Sequence, residues 1–269
     1  MNIPAVKLKN TELEVSRFCF GTMTFGKPLD QSGATQLVNR CIEAGINFFD
    51  TANVYQLGVA ETMLGHAIKG KRHQLVIASK VFFKVGEEAD QQGLSRKAIL
   101  RNIDESLKRL GTDHLDLYLL HWESSYPIAE SMRAMEKLMD DGRTRFAGVS
   151  NFDLDQLKAA QAALRHHRLA ANQVLYHLGE RGIERKLIPY CQQQEIAVVG
   201  YSPFGHGAFP RPDSPGGKVL RAVAERHGRT VRQVILNFLT RLPQLFATPK
   251  AGDPDHTREN AGGAGWSLT

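Results

Sequence analysis

Apolar residues recur along this chain in short runs separated by amphipathic stretches, and from residue 18 onward the alternation is regular. Residues 6–8 and 13–15 flank a Lys9-Asn10-Thr11 turn, which predicts a small β-hairpin that plugs one end of the main fold. Residues 18–23 predict the first core strand, followed by a helix over 32–44 with Leu37, Val38, Cys41 and Ile42 on one face. The same unit then repeats without a break in composition. Strands at 47–50, 75–81 and 115–121 lead to helices at 60–68, 95–110 and 128–141, the second with Ser95 as N-cap and the third closed by Gly142. Strands at 146–150 and 171–175 lead to helices at 154–164 and 184–194. The strand at 196–201 runs into a Gly- and Pro-rich loop over 202–217, and helices at 219–227 and 231–239 follow it. Residues 245–248 predict the last strand, and Asp255 opens the last helix. About eight strand-helix units make a (β/α)8 TIM barrel, an α/β fold, with an N-terminal β-hairpin and a single domain over residues 1–269. A doubly wound sheet is the alternative, but no GxGxxG follows the first strand.

Polar side chains stand at or just past the C-terminal end of every predicted strand: Thr22, Asp50 with Tyr55 nearby, Lys80, His121, Ser150-Asn151, Gln173, Tyr201-Ser202 and Lys250. In a parallel barrel those ends share one rim, and catalysis takes place there. Taken singly, Asp50 and Lys80 read as a structural ion pair, His121 as a core histidine and Tyr55 as a rim aromatic. Taken together they place an acid, a base, a cation and a phenol in one pocket. A free phenol has a pKa of about 10, and a lysine ammonium beside it stabilises the phenolate, so Lys80 is expected to lower the Tyr55 value. Asp50 would hold Lys80 charged, and His121 would donate a hydrogen bond to a substrate oxygen. Such a group protonates an oxygen atom. No activated Ser or Cys nucleophile accompanies it, and the first strand lacks the His-x-His of a barrel metal-hydrolase, so no metal site is predicted. The remaining chemistry must come from a cofactor.

Composition adds compartment and partner class. Hydrophobic residues at 42% and charged residues at 23% suit a soluble enzyme, and no apolar run is long enough to span a membrane. The start lacks the features of a secretory signal, which predicts a cytoplasmic protein. Cys19, Cys41 and Cys191 are odd in number and far apart, and read as buried thiols in a reducing compartment. The net charge of +6 would suit an anionic ligand. Lys and Arg are nevertheless interspersed with Asp and Glu, which describes a mildly basic solvated surface rather than a nucleic-acid site.

The phrases Gly21-Thr22-Met23, Gly45-Ile46-Asn47-Phe48-Phe49-Asp50-Thr51-Ala52, Gly148-Val149-Ser150-Asn151-Phe152 and Tyr201-Ser202-Pro203-Phe204-Gly205 carry a resemblance, as do Asp50, Tyr55, Lys80 and His121 in their order and strand placement. The chain resembles the aldo-keto reductases from the hairpin to its last residues. The resemblance implies an NADPH-dependent reduction of an aldehyde or ketone, with Tyr55 as proton donor. It implies that Ser150, Asn151 and Gln173 hold the nicotinamide carboxamide, that Tyr201 stacks on its ring, and that Ser202, Pro203, Phe204 and Gly205 lie along the pyrophosphate. Thr22 and Met23 would touch the nicotinamide ribose, and Lys250, Ala251, His256, Glu259 and Asn260 would bind the adenosine end of NADP(H).

Two departures from the family's pattern stand out. Ala251 takes the place of a serine and His256 that of an arginine, which Arg258, two positions along the helix, cannot replace. Selection of NADPH through Lys250 and His256 would then weaken, and would grow as pH falls toward about 6. The chain also stops at Trp266-Ser267-Leu268-Thr269, where relatives continue into a further helix and a substrate-covering tail. With the short loop after His121, this implies an open pocket or a wall supplied by a partner chain, the alternative being trimmings without effect on the pocket. A monomer acting on a small carbonyl compound is expected. The rivals are a coenzyme-binding regulatory protein with little turnover and a Schiff-base lyase using Lys80, the latter disfavoured because Asp50 should keep Lys80 protonated.

Overall fold

In the computed structural model, which describes residues 3–88, 91–207 and 209–269, the repeating unit closes on itself. Strands β1 (Ala5–Lys7) and β2 (Glu14–Ser16) form the expected antiparallel hairpin, with Val6 opposite Val15. Eight parallel strands then neighbour one another in chain order: β3 (Cys19–Gly21), β4 (Phe48–Asp50), β5 (Val76–Val81), β6 (Leu115–Leu120), β7 (Thr144–Ser150), β8 (Ala171–Leu175), β9 (Ala197–Tyr201) and β10 (Leu245–Thr248). A parallel bridge from Phe18 to Ala247 brings the last strand against the first, giving a nearly closed barrel.

The helices α1 (Gln31–Glu43), α2 (Val59–Ala67), α3 (Arg96–Leu110), α4 (Ile128–Asp140), α5 (Leu154–Ala163), α6 (Leu187–Gln193), α7 (Pro215–His227), α8 (Val231–Leu239) and α9 (Pro254–Ala261) pack around it. Their starts follow from local chemistry. Asp30 accepts from the Gly33 amide at 2.8 Å and Ser95 from the Ala98 amide at 3.2 Å, while Asp153 with Gln156 and Thr230 with Gln233 form reciprocal caps. Two starts differ from the sequence reading. Helix α6 begins at Leu187, not at 184, because the Pro189 ring meets the carbonyl four residues back and confines the helix to the segment that places proline in its first turn. Helix α7 begins at Pro215, inside the stretch read as loop, capped by Ser214 with proline at the first helical position. Gly217 is required there, since a Cβ would lie 1.8 Å from the Arg211 carbonyl oxygen.

The period-two alternation of strands decides what faces the barrel axis. Phe48, Val76, Ala78, Leu117, Leu119, Ala171, Ala197, Val199 and Phe246 point inward as an apolar filling, and Leu8, Leu13 and Val15 of the hairpin segment close its lower end. At Gly148 a side chain would meet the Ala171 carbonyl oxygen at 2.8 Å, so the close approach of β7 and β8 needs glycine. The intervening residues, such as Phe49, Ile77, Tyr118 and Val198, form the larger core under the helices. Cys19, Cys41 and Cys191 are buried free thiols. Among the described residues, no helix is long and apolar enough to cross a membrane.

Candidate active site

The alternation that fills the barrel with Phe, Val and Leu also carries polar residues inward at the upper ends of the same strands. Asp50 lies two residues beyond Phe48, Lys80 two beyond Ala78, His121 two beyond Leu119, Gln173 two beyond Ala171 and Tyr201 two beyond Val199. An apolar floor is therefore overlaid by a polar layer drawn from five strands. Asp50 is 3% exposed and Lys80 fully buried. The lysine Nζ donates to Asp50 Oδ2 at 2.7 Å, to the Thr51 carbonyl at 2.9 Å and to the Tyr55 hydroxyl at 3.2 Å. All three of its protons have an acceptor. The other carboxylate oxygen of Asp50 accepts from Gln173 Nε2 at 2.9 Å.

Tyr55 reaches this layer from a tight segment in which Gln56 and Leu57 are both left-handed, at φ 49° and 53°. Non-glycine residues adopt that region at a cost, which here aims the phenol back over the strand ends. His121 stands edge-on to the Tyr55 ring, with centroids 6.2 Å apart, and to Phe83 at 5.3 Å. Its Nδ1 is enclosed and has no hydrogen-bond partner. An enclosed lone pair without a donor costs less than an enclosed N–H without an acceptor, so the ring proton belongs on Nε2. Burial, reinforced by Lys80, holds the His121 pKa down at about 3, and the imidazole is neutral. For Lys80, burial opposes the charge, but Asp50 and Tyr55 outweigh it and raise the pKa above the ordinary lysine value.

Tyr55 departs from the sequence expectation. Burial raises its pKa more than Lys80 lowers it, and the net direction is upward. The lysine stabilises the phenolate, as expected, yet the group stands as a phenol.

Beside this layer the second set of predicted residues is already interlocked. Asn151, left-handed at φ 61°, donates to the His121 carbonyl and to Ser150 Oγ, both at 3.1 Å, and accepts from the Tyr201 hydroxyl at 2.8 Å. Ser150 Oγ donates to the Gln173 carbonyl at 2.9 Å. These bonds orient the Tyr201 ring and leave Gln173 Oε1 as the side-chain acceptor of the three without a protein donor among the described residues. Tyr55, His121, Ser150, Asn151, Gln173, Tyr201, Ser202, Phe204 and Lys250 line a cavity of about 690 Å³.

A family model described as the aldo/keto reductase family matches residues 17–264. The chain belongs to the aldo/keto reductase family. Among curated relatives of this reductase-family chain, methylglyoxal reductase YeaE of Escherichia coli is 37% identical over 90% of this chain and 82% of that one. An NADH-specific methylglyoxal reductase of the same organism is 31% identical over 79% of this chain and 72% of its own. Among solved structures, an aldo-keto reductase from Klebsiella pneumoniae in complex with NADPH superposes with a TM-score of 0.88 at 34% identity, covering 100% of this chain and 92% of that one.

Of the residues that the family resemblance assigned, Met23, Asp50, Tyr55, His121, Ser150, Asn151, Gln173, Tyr201, Ser202, Pro203, Phe204 and Lys250 line the cavity, and Lys80 lies directly beneath it. Six do not line it. Thr22 is buried against the Asp50 backbone, to which its hydroxyl donates at 3.1 Å. Gly205 turns in the left-handed region behind Phe204, and Ala251 and Asn260 are buried. His256 Nδ1 lies 2.8 Å from the N-cap carboxylate of Asp253, and Glu259 accepts from Arg232 at 3.1 Å. Several lining residues escaped the sequence reading: Val54, Phe83, Trp122, His206, Phe209, Arg232 and Thr248. Thr248 was visible as the last inward position of β10. The others sit on loops or on a helix turn with no local pattern to mark them.

Proposed function

We propose that this protein reduces a small aldehyde or ketone to the alcohol with NADPH, and that Tyr55 delivers the proton to the carbonyl oxygen. The observation that carries this reading is the buried chain of contacts from Asp50 to Lys80 to the Tyr55 hydroxyl at the cavity floor, with His121 edge-on beside it. NADPH supplies the hydride. The cavity suits that coenzyme: its lining offers Gln173 Oε1 as an open acceptor, the Tyr201 ring as a flat wall, and the cations Arg232 and Lys250. Ser150, Asn151, Gln173, Tyr201, the 202–204 segment and Lys250 would hold it.

The protein's own residues divide the labour through their protonation states. Tyr55 holds its proton because burial disfavours the phenolate, and it releases that proton only as negative charge builds on a substrate oxygen placed against its hydroxyl. The phenolate then faces the Lys80 ammonium, which Asp50 keeps charged and fixed. His121, neutral and with Nε2–H available, donates a hydrogen bond that positions the oxygen without competing as an acid. Val54, Phe83 and Trp122 supply apolar walls nearby and exclude water from the reacting atoms. Two relatives bear the name methylglyoxal reductase, which supports a small α-oxo aldehyde as a first substrate. Consumption of NADPH by the purified protein on addition of methylglyoxal or another small aldehyde tests the proposal. Coenzyme binding without consumption across a panel of carbonyl compounds would favour the regulatory reading instead.

A further inference from the structure

Two cations, Lys250 and Arg232, line the cavity, and only one of them follows a strand end. Lys250 follows β10, whereas Arg232 comes from the first turn of α8, brought alongside the 204 segment by closure of the barrel. The Arg232 guanidinium lies 5.9 Å from the Phe204 ring centroid and donates one N–H to Glu259 Oε2 at 3.1 Å. Its remaining donors meet no protein acceptor among the described residues, and its side chain is 38% exposed. Lys250 likewise makes no ion pair among the described residues, while His256 is occupied by Asp253. A planar fork with spare N–H groups, held near an aromatic face in a cavity that a second cation also lines, has the chemistry of a site for a phosphate attached to an aromatic nucleoside.

We infer that Arg232 is the coenzyme-selecting residue of this protein: with Lys250 it takes the phosphate on the adenosine ribose that distinguishes NADPH from NADH. The inference deepens the proposed function and rests on its NADPH reading. Glu259 sets its strength. The carboxylate occupies one edge of the fork and repels a phosphate nearby, so it tempers the preference that Arg232 and Lys250 create.

Equilibrium binding of NADP+, NAD+, adenosine 2′,5′-bisphosphate and AMP, followed by calorimetry, separates the possibilities without reference to turnover. Arg232→Gln should weaken NADP+ and the bisphosphate by roughly tenfold or more, while NAD+ and AMP change by less than about twofold and report an intact fold. Arg232→Lys should recover part of the loss, and Glu259→Gln should tighten NADP+ relative to NAD+. Equal weakening of NADP+ and NAD+ by Arg232→Gln would overturn the inference, because the guanidinium would then contact a part common to both. An unchanged NADP+ affinity would overturn it as well. A wild-type preference that grows between about pH 8 and about pH 6 would overturn it too, because a permanently charged arginine does not titrate there. Equal wild-type affinity for NADP+ and NAD+ would overturn the NADPH reading itself, and the inference with it. A wild-type preference that Arg232→Gln leaves undiminished would overturn the inference alone.

Discussion

Replacing Lys80 by methionine tests the structural logic of the site separately from its chemistry. The substitution keeps most of the side-chain volume and deletes a fully buried ammonium that serves three acceptors: Asp50 Oδ2, the Thr51 carbonyl and the Tyr55 hydroxyl. Removing one partner of a buried ion pair strands the other charge, which costs about 3–5 kcal/mol. That is a large part of the roughly 5–15 kcal/mol by which a domain is held folded. Urea unfolding should therefore show a midpoint lowered by on the order of 1–2 M.

The companion changes sharpen the test. In Asp50→Asn the amide oxygen can still accept from Lys80, and Gln173 can turn its own amide to face the new NH₂, so a smaller loss is expected. The double variant Lys80→Met with Asp50→Asn removes both charges and should be more stable than Lys80→Met alone, since no buried carboxylate is left unpaired. The alkaline limb gives an independent check. The Lys80 pKa is raised on folding, so its contribution is complete below the unfolded lysine value near 10.4 and is lost as pH rises through the folded value. Wild-type stability should thus decline above about pH 10, and Lys80→Met should flatten that decline. A Lys80→Met protein within about 1 kcal/mol of wild type, or a double variant no better than the single one, would refute the reasoning.

Tyr55→Phe should lose roughly 10²–10⁴-fold in kcat while its NADPH dissociation constant stays within about twofold, measured by steady-state kinetics and fluorescence titration. Because Tyr55 is raised and His121 is held near 3, kcat/KM for carbonyl reduction at saturating NADPH should be flat from about pH 6 to about pH 9. It should fall only as Tyr55 loses its proton at higher pH; a rate that instead falls as pH rises through about 6.5 would show that a protonated histidine takes part. Gln173→Leu leaves Asp50 Oδ1 without its donor, and should cost about 1–3 kcal/mol in urea unfolding and weaken NADPH and NADH to a similar extent.

Much of the site is written in short segments that can be read locally. A run of inward apolar residues that ends two positions later in Asp50, Lys80, His121, Gln173 or Tyr201 announces both the strand and the polar layer above it, because the strand period is two wherever the strand sits. Cap residues such as Asp30, Ser95 and Thr230 mark helix starts for the same local reason. What the sequence could not contain is any quantity that sums over distant parts of the chain. The direction of the Tyr55 shift depends on burial by residues from several loops weighed against one lysine, and the burial wins. The bond from Gln173 to Asp50 joins residues 123 positions apart, and only the registers of the intervening strands bring them level. Arg232 looks, in sequence, like any charge on the solvated side of an amphipathic helix. It becomes part of the cavity because the closed barrel sets the first turn of α8 against Phe204 and Glu259. His256 shows another such dependence: the sequence places it on the last helix, and the folded backbone sets its ring 2.8 Å from the carboxylate that caps that helix.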